Sequence, residues 1–276
     1  IFGKDLQNNL QTSFPLLKSL ESFEVQDLNQ QSVIKISIDN LLAQNTIDLN
    51  CKEHTSFKGK LSITEETKNN EFLVTAFQNG RSIDQLSPQL EEIYTHEKWP
   101  SNLGDRLKAF PHGAFCIISP QNSKISLSQL IIRRCSFLPL SGDYKIFGDK
   151  EKKNPDITLL IHGYYFVDHS RTRAKVDDAD VGAKWNRALS RELLAGHIIS
   201  KVAEFLNVNA DLLSIIDIRK FTQFLSEAKE TFFEIKFAIQ ENFLVRRIAK
   251  KDDFVFVFQS FKYEQTTNLL PIGISE

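Results

Sequence analysis

Two arginines, Arg171 and Arg173, are the residues of this 276-residue chain whose type and position most clearly suggest chemistry. They follow residues 157–167, a β-branched and aromatic stretch whose composition predicts a buried central strand. A guanidinium presents forked donors that suit a phosphate, so arginines held at the end of a rigid strand are well placed to bind one. Two other interpretations stay open: solvated loop residues, or ion pairs with the acids of residues 177–180.

The motifs of a complete active site are missing from the sequence. It contains no P-loop, GxGxxG, HExxH or GxSxG motif, and its six histidines have no metal-ligand spacing. Residues 177–182 have the look of a calcium loop, but Ala179 and Val181 stand where ligands are required. A helix cap at Asp180 or Asp178 is the better interpretation. We therefore expect no metal or cofactor bound by this chain alone.

Composition and charge are those of an ordinary globular protein. With 41% hydrophobic and 25% charged residues the chain has enough apolar side chains for a core, which excludes a disordered class. The net charge of −1 lacks the basic excess of a dominant nucleic-acid surface. No run of about 18 apolar residues predicts a membrane span. Three cysteines without a CxxC pair favour a reducing compartment, so a cytoplasmic location is expected.

The surrounding elements predict an α+β fold, with a mixed or antiparallel sheet and a long helix packed on one face. Besides 157–167, strands are expected at residues 33–38, 57–63, 71–78 and 113–118, with 127–137 less clear. Residues 141–155 are expected to form a loop because they are rich in Gly, Asp and Lys. An apolar stripe predicts the long helix over residues 181–206 and makes Trp185 its core anchor.

A second, smaller α+β unit is predicted at the C-terminal end. The two expected domains are residues 1–206 and residues 207–276. In the second, a helix over 210–229 is followed by a switch to alternating apolar residues. Strands are expected at residues 233–239, 243–248 and 254–258.

Several short motifs occur in the same order as in the sequence pattern of one known protein family. Residues 137–140 (FLPL) match the family's LPLP segment, and residues 161–171 (IHGYYFVDHSR) match its hVNGyFaLtdnRR pattern. Residues 185–189 (WNRAL) match the WNelLl sequence that opens a long helix. Residues 15–25 are similar to the family's leucine-rich helix leading into a strand. In their order, these motifs resemble the region that follows the ATP-binding domain in sacsin and its bacterial relatives.

This resemblance implies a middle or transducer module of a GHKL ATPase, the group of the ninety-kilodalton heat-shock chaperone. In that group a Bergerat-fold domain binds ATP and magnesium, and the following domain supplies a basic residue to the γ-phosphate. By the motif match this residue is Arg171, with Arg173 in reserve because the family's Arg-Arg pair is Arg-Thr-Arg here. The Bergerat motifs are missing from this sequence, so ATP and Mg are expected to bind in an adjacent domain. The resemblance implies that this chain assists the hydrolysis of ATP in that domain.

The expected partners are that adjacent ATP-binding domain, a protein client and a second copy of the chain, without membrane or nucleic acid. A different class of function is a nucleotide-independent protein interaction module that uses the phenylalanines of residues 254–258. Exposure separates the two: ion-paired Arg171 and Arg173, together with an apolar edge at residues 254–258, favour the interaction module.

Overall fold

The computed structural model describes part of the chain in detail. The described residues are 11–13, 15, 22–26, 32–39, 55–65, 68–80, 86–96, 109–121, 126–136, 138–152, 155–177, 179–195, 205, 217, 220, 221, 223, 224, 227, 228, 232, 244–250 and 253–259.

A mixed sheet of eight strands dominates the described part of the chain. The strands are β1 (Ser22–Gln26), β2 (Ser32–Asp39), β3 (Thr55–Glu65), β4 (Lys68–Gly80), β5 (His112–Pro120), β6 (Gln129–Ser136), β7 (Leu138–Gly148) and β8 (Ile157–Gly163). Their order across the sheet is β1-β2-β3-β4-β5-β8-β6-β7. Neighbours run antiparallel except β6 and β8, which are parallel. The strand β8 therefore lies between β5 and the β6–β7 hairpin.

Helices lie beside this sheet, and two helical regions of the described part have defined bounds. Helix α1 spans Pro88–Tyr94, and the hydroxyl of its N-cap, Ser87, accepts from the Leu90 amide at 3.2 Å. Helix α2 spans Val181–Leu189 and continues as a π-helix, Ser190–Ala195. Asp180 caps α2, as predicted, by accepting from the amides of Gly182 and Ala183.

Both faces of the sheet carry a hydrophobic core. Consecutive residues of a strand point to opposite faces, and every residue of β8 is buried. One core, which includes helix α2, contains Phe115, Ile117, Leu159, Ile161, Trp185 and Leu189. The core on the opposite face contains Ile36, Leu61, Val74, Cys116, Ile118 and Leu160. A strand buried on both faces is a rigid support for whatever follows it.

The α+β class and the mixed sheet are confirmed, but the long packed helix over residues 181–206 is not seen. Helix α2 is short, and the π-helix after it has its own contact with the sheet. There, the Leu193 carbonyl accepts a hydrogen bond from Nδ2 of Asn79 on β4 at 3.1 Å. A carbonyl turned towards the sheet fits the departure from α-helical pairing in this segment. Residues beyond 195 in that range lie outside the described part, apart from Phe205, which is helical.

The loop predicted over residues 141–155 is wrong in its first half, because β7 extends through it to Gly148. This strand has β6 as its neighbour and forms an edge of the sheet, where polar and charged residues are tolerated on a solvent-facing strand. The strand predicted over residues 157–167 ends early, at Gly163. Beyond that point the Phe166 backbone bonds to the Asn186 side chain on α2 instead of a neighbouring strand.

The C-terminal part is described only in places. Strands β9 (Leu244–Lys250) and β10 (Asp253–Gln259) form a two-stranded antiparallel sheet, close to the predicted positions. The strand predicted at 233–239 lies outside the described residues. Described helical residues between 217 and 232 contact the region of the large sheet. The rings of Phe224 and Phe147 stack with their centroids 5.8 Å apart, and the Asp217 carboxylate accepts a hydrogen bond from the Leu127 amide at 2.8 Å. The division into domains at residue 206 stays a prediction.

Candidate functional site

Arg171 and Arg173 lie in a tight loop that follows the C-terminal end of β8. An isolated antiparallel bridge between Val167 and Ala174 forms the neck of this loop. Two further backbone bonds reinforce it, from Lys175 N to the Phe166 carbonyl at 2.8 Å and from Asp168 N to the Arg173 carbonyl at 2.9 Å. We call residues 166–175 the arginine loop.

The carboxylate of Asp168 organises the interior of the arginine loop. Its Oδ1 accepts from the amides of Thr172 at 2.8 Å and Arg173 at 3.2 Å. Its Oδ2 accepts from the hydroxyls of Ser170 at 2.8 Å and Thr172 at 3.1 Å. The Ser170 hydroxyl, followed by the loop amides and Thr172, lowers the pKa of Asp168 to about 2. The loop is thus wound around its own anion, and its conformation is fixed without a bound ligand.

Arg171 adopts a backbone conformation that is unusual for its residue type. Its φ is +55°, and it is the one non-glycine residue with positive φ in the described part of the chain. This left-handed conformation costs an arginine about 1–2 kcal/mol. Such strain persists where surrounding bonds impose it and is concentrated at functional sites. Here the bond from Arg171 N to the Asp168 carbonyl, at 3.0 Å, helps to impose it, and the Arg171 side chain is exposed.

Arg173 lies against the edge strand β7. A Cβ added to Gly142 of that strand would come within 2.8 Å of the Arg173 Nε and 3.0 Å of its Cγ. The Gly142 amide also donates to the Thr172 carbonyl at 2.9 Å. The absence of a side chain at position 142 therefore lets the Arg173 stem lie close to the sheet.

Neither guanidinium of the arginine loop has a hydrogen bond or ion pair among the described residues. The acids that the sequence offered as partners are engaged elsewhere. Asp180 pairs with Lys175 at 2.9 Å while it caps α2, and Asp177 accepts from the Ala179 amide at 3.0 Å. Asp178 lies outside the described residues. Of the three interpretations, ion pairing with Asp177 or Asp180 is therefore wrong, whereas a phosphate contact and a solvated loop remain.

The Asn186 side chain fixes the arginine loop to helix α2. Its Oδ1 accepts from the Phe166 amide at 2.8 Å, and its Nδ2 donates to the carbonyls of Phe166 at 2.7 Å and Lys175 at 3.1 Å. The adjacent Trp185 is fully buried, which confirms it as the core anchor of α2. Neighbouring helix residues thus hold the core with one side chain and the loop with the next.

On its other side, the arginine loop contacts a buried ion pair between β6 and β7. Arg134 and Asp143 approach to 3.0 Å, with side chains only 7% and 12% exposed. Asp143 Oδ2 also accepts from the Ala174 amide of the loop at 3.1 Å. The Arg134 guanidinium donates to the Phe232 carbonyl at 3.3 Å and lies 5.3 Å from the Tyr165 ring. This pair connects the neck of the loop to the helical segment near residue 232.

Sequence reasoning identified the two exposed arginines but missed the residues that hold them. The Asp168-x-Ser170-x-Thr172 spacing was a usable signal, because a short acid followed by hydroxyls and amides favours a side-chain-capped turn. Asn186 had a weaker signal, as an amide beside an apolar stripe. Asp143 had none, since it lies in a stretch with loop-like composition.

Among the described residues, no group of three or more His, Cys, Asp or Glu is placed to hold a metal ion. No helix in the described part of the chain has the length and apolarity needed to cross a membrane. Comparison with known proteins yields no matching family model, no matching curated protein and no matching solved structure.

Proposed function

We propose that this chain is the middle or transducer part of a sacsin-like, heat-shock-chaperone-like ATPase. In this proposal an adjacent Bergerat-fold domain holds ATP and Mg, and Arg171 contacts the γ-phosphate. One observation carries it: the Arg171 guanidinium is exposed and has no acidic partner in the described structure, while its backbone is held in a strained turn. The geometry alone suits any phosphate. The family resemblance of residues 161–171 is what identifies this phosphate as the γ-phosphate of ATP.

The support of the arginine loop suits the work of a phosphate sensor. A cation stabilises a transferring phosphoryl group best when it is already in place and needs no reorganisation. The loop meets this requirement through the internal carboxylate of Asp168 and through Asn186 on the core-anchored helix α2. Arg173, which is exposed and lies beside Gly142, is the second candidate for the same phosphate.

ATP binding would act on this chain by favouring the domain arrangement in which Arg171 reaches the γ-phosphate. A ligand shifts a two-state equilibrium by its difference in affinity for the two states. The chain then couples nucleotide binding and hydrolysis in that adjacent domain to a conformational change. In this role the protein acts in the cytoplasm and contacts its ATP-binding domain, which holds the nucleotide.

The test is Arg171→Ala in the native protein that joins this chain to its ATP-binding domain. We expect kcat to fall at least tenfold, towards the 10³–10⁵ that an arginine contributes in other NTPases, while KM changes less. Lys150→Ala is the matched control, because Lys150 is an exposed cation at the opposite end of β8 and should leave kcat unchanged. Equal hydrolysis rates for Arg171→Ala and wild type refute the proposal and leave the interaction module as the better hypothesis.

Gly142→Ala tells the two arginines apart. The new methyl group displaces the Arg173 side chain, which it would otherwise approach to 2.8 Å, and leaves Arg171 in its turn. If Arg171 is the phosphate contact, Gly142→Ala retains most of the hydrolysis rate that Arg171→Ala loses. A loss of rate in Gly142→Ala equal to that of Arg173→Ala, with Arg171→Ala active, assigns the contact to Arg173 instead.

A further inference from the structure

The orientation of Arg171 depends on polar bonds more than on burial. Residues 168–173 of the arginine loop are exposed or half-buried, so apolar packing contributes little to holding them. The base of the loop is different, because the Asn186 amide bonds to Phe166 before the neck and to Lys175 after it. One side chain therefore bridges the two ends of the arginine loop.

Asn186 stands inside helix α2, and its contact with the arginine loop accounts for an asparagine at this position. Asparagine is a poor residue for the middle of a helix, and a buried amide is costly unless its donors and acceptors are satisfied. Asn186 is only 5% exposed, and its partners are all backbone groups of the arginine loop. Because the preceding Trp185 is fully buried in the core, the Asn186 contacts join the loop to a firmly anchored part of α2.

We propose that Asn186 is the positioning residue through which helix α2 sets the direction of the Arg171 guanidinium. Its consequence for catalysis rests on the proposed function, whereas the positioning itself is a property of this chain. A second link between the same elements, the Lys175–Asp180 ion pair, is about one-third exposed on both sides and contributes less.

Limited trypsin digestion of the full chain measures the positioning without any nucleotide. Trypsin cleaves after Arg171 and Arg173 when the loop opens. When opening and closing are fast relative to cleavage, the cleavage rate is proportional to the population of the open loop. We expect Asn186→Ala to raise cleavage at these two sites about tenfold or more relative to cleavage after Lys150. Asn69→Ala is the matched control, because the exposed Asn69 side chain bonds to the side chains of Thr64 and Glu71 in the described structure and should leave the ratio unchanged. An unchanged ratio in Asn186→Ala overturns the proposal.

Asn186→Asp tests the same contact with a side chain of the same shape. An ionised carboxylate faces the carbonyls of Phe166 and Lys175 without a donor, whereas the protonated acid regains one. Hydrogen exchange of the Phe166 amide, corrected for its intrinsic rate, should show protection in this variant that rises several-fold between pH 8 and pH 5. The wild type should show no such rise. Protection in Asn186→Asp that is independent of pH and equal to wild type contradicts the role given to the two donated bonds.

Hydrolysis by the native protein then separates this inference from the proposed function. We expect Asn186→Ala to lower kcat more than it changes KM. The decrease in kcat should be smaller than the decrease that Arg171→Ala causes. If Asn186→Ala loosens the loop but neither variant changes kcat, Asn186 positions the loop and the proposed ATPase role fails. If Arg171→Ala lowers kcat while Asn186→Ala changes neither cleavage nor kcat, the ATPase role stands and the positioning role of Asn186 fails.

Discussion

Breaking the buried ion pair between Arg134 and Asp143 should strongly destabilise the protein. Their closest atoms are 3.0 Å apart, which puts the charge centres about 4 Å apart and their attraction at about 4 kcal/mol for an effective dielectric constant of 20. Arg134→Met leaves the Asp143 carboxylate buried with the Ala174 amide as its remaining described partner. The expected loss in free energy of unfolding is about 3–5 kcal/mol.

A double-mutant cycle with Arg134→Met and Asp143→Asn isolates the pairwise energy, measured by urea unfolding. Asparagine keeps an oxygen for the Ala174 amide, so the cycle removes charge without removing that bond. We expect a coupling energy of at least about 2 kcal/mol, because the double variant no longer buries an unpaired charge. The Lys60–Glu71 pair is the control: with side chains 37% and 31% exposed, it should give less than about 1 kcal/mol. Equal coupling in the two cycles would refute the assignment of Arg134 and Asp143 as a buried pair.

Three further predictions concern the arginine loop and the cores. Arg171→Gly should be about 0.5–1 kcal/mol more stable than Arg171→Ala in urea titrations, because glycine adopts a φ of +55° without steric cost; the opposite order would contradict the left-handed turn. The pKa of Asp168 is lowered from 3.8 to about 2, so the stability that its carboxylate gives the loop should be complete above pH 4 and lost as the pH falls towards 2. Hydrogen exchange of the loop amides between pH 5 and pH 2 should show this loss in the wild type and not in Asp168→Asn. Burial raises the pKa of Cys116 to about 12 and also raises that of Cys135. In a Cys51→Ser background, neither thiol should therefore react with a disulfide reagent at pH 8 until urea unfolds the chain. Fast labelling of the native protein would contradict their burial.

The strands of the sheet were predictable where apolar periodicity was strong. Residues 113–118 and 157–163 are mostly apolar because they are buried on both faces, and their composition indicates this. The strand β7 was not predictable in the same way, since an edge strand has the glycine and charge content of a loop. Its identity depends on pairing with β6, which is a property of the fold and not of the local sequence.

The exposed position of the two arginines after a buried strand was predictable from the sequence, whereas most of the contacts that hold their loop were not. Arg171 and Arg173 stand out in a sequence because charge at the end of an apolar strand is visible locally. Only the hydrogen bonds within the loop, around Asp168, are local; those that join the loop to its surroundings connect distant positions, from Phe166 to Asn186 and from Asp143 to Ala174. Such pairs cannot be read from one sequence, because each partner alone has an ordinary reason to be polar.

The placement of β8 between β5 and β6 imposes an order on folding. The β6–β7 hairpin is made before β8 and can close by itself, because its strands are adjacent in the chain. The two halves of the sheet cannot join until β8 fills the gap, so β5 and β6 each keep an open edge until residue 163 has been synthesised. Non-local insertion of this kind slows folding and exposes strands to aggregation. The step that closes the sheet is also the step that delivers the arginine loop, so a chain with an unclosed sheet cannot present Arg171.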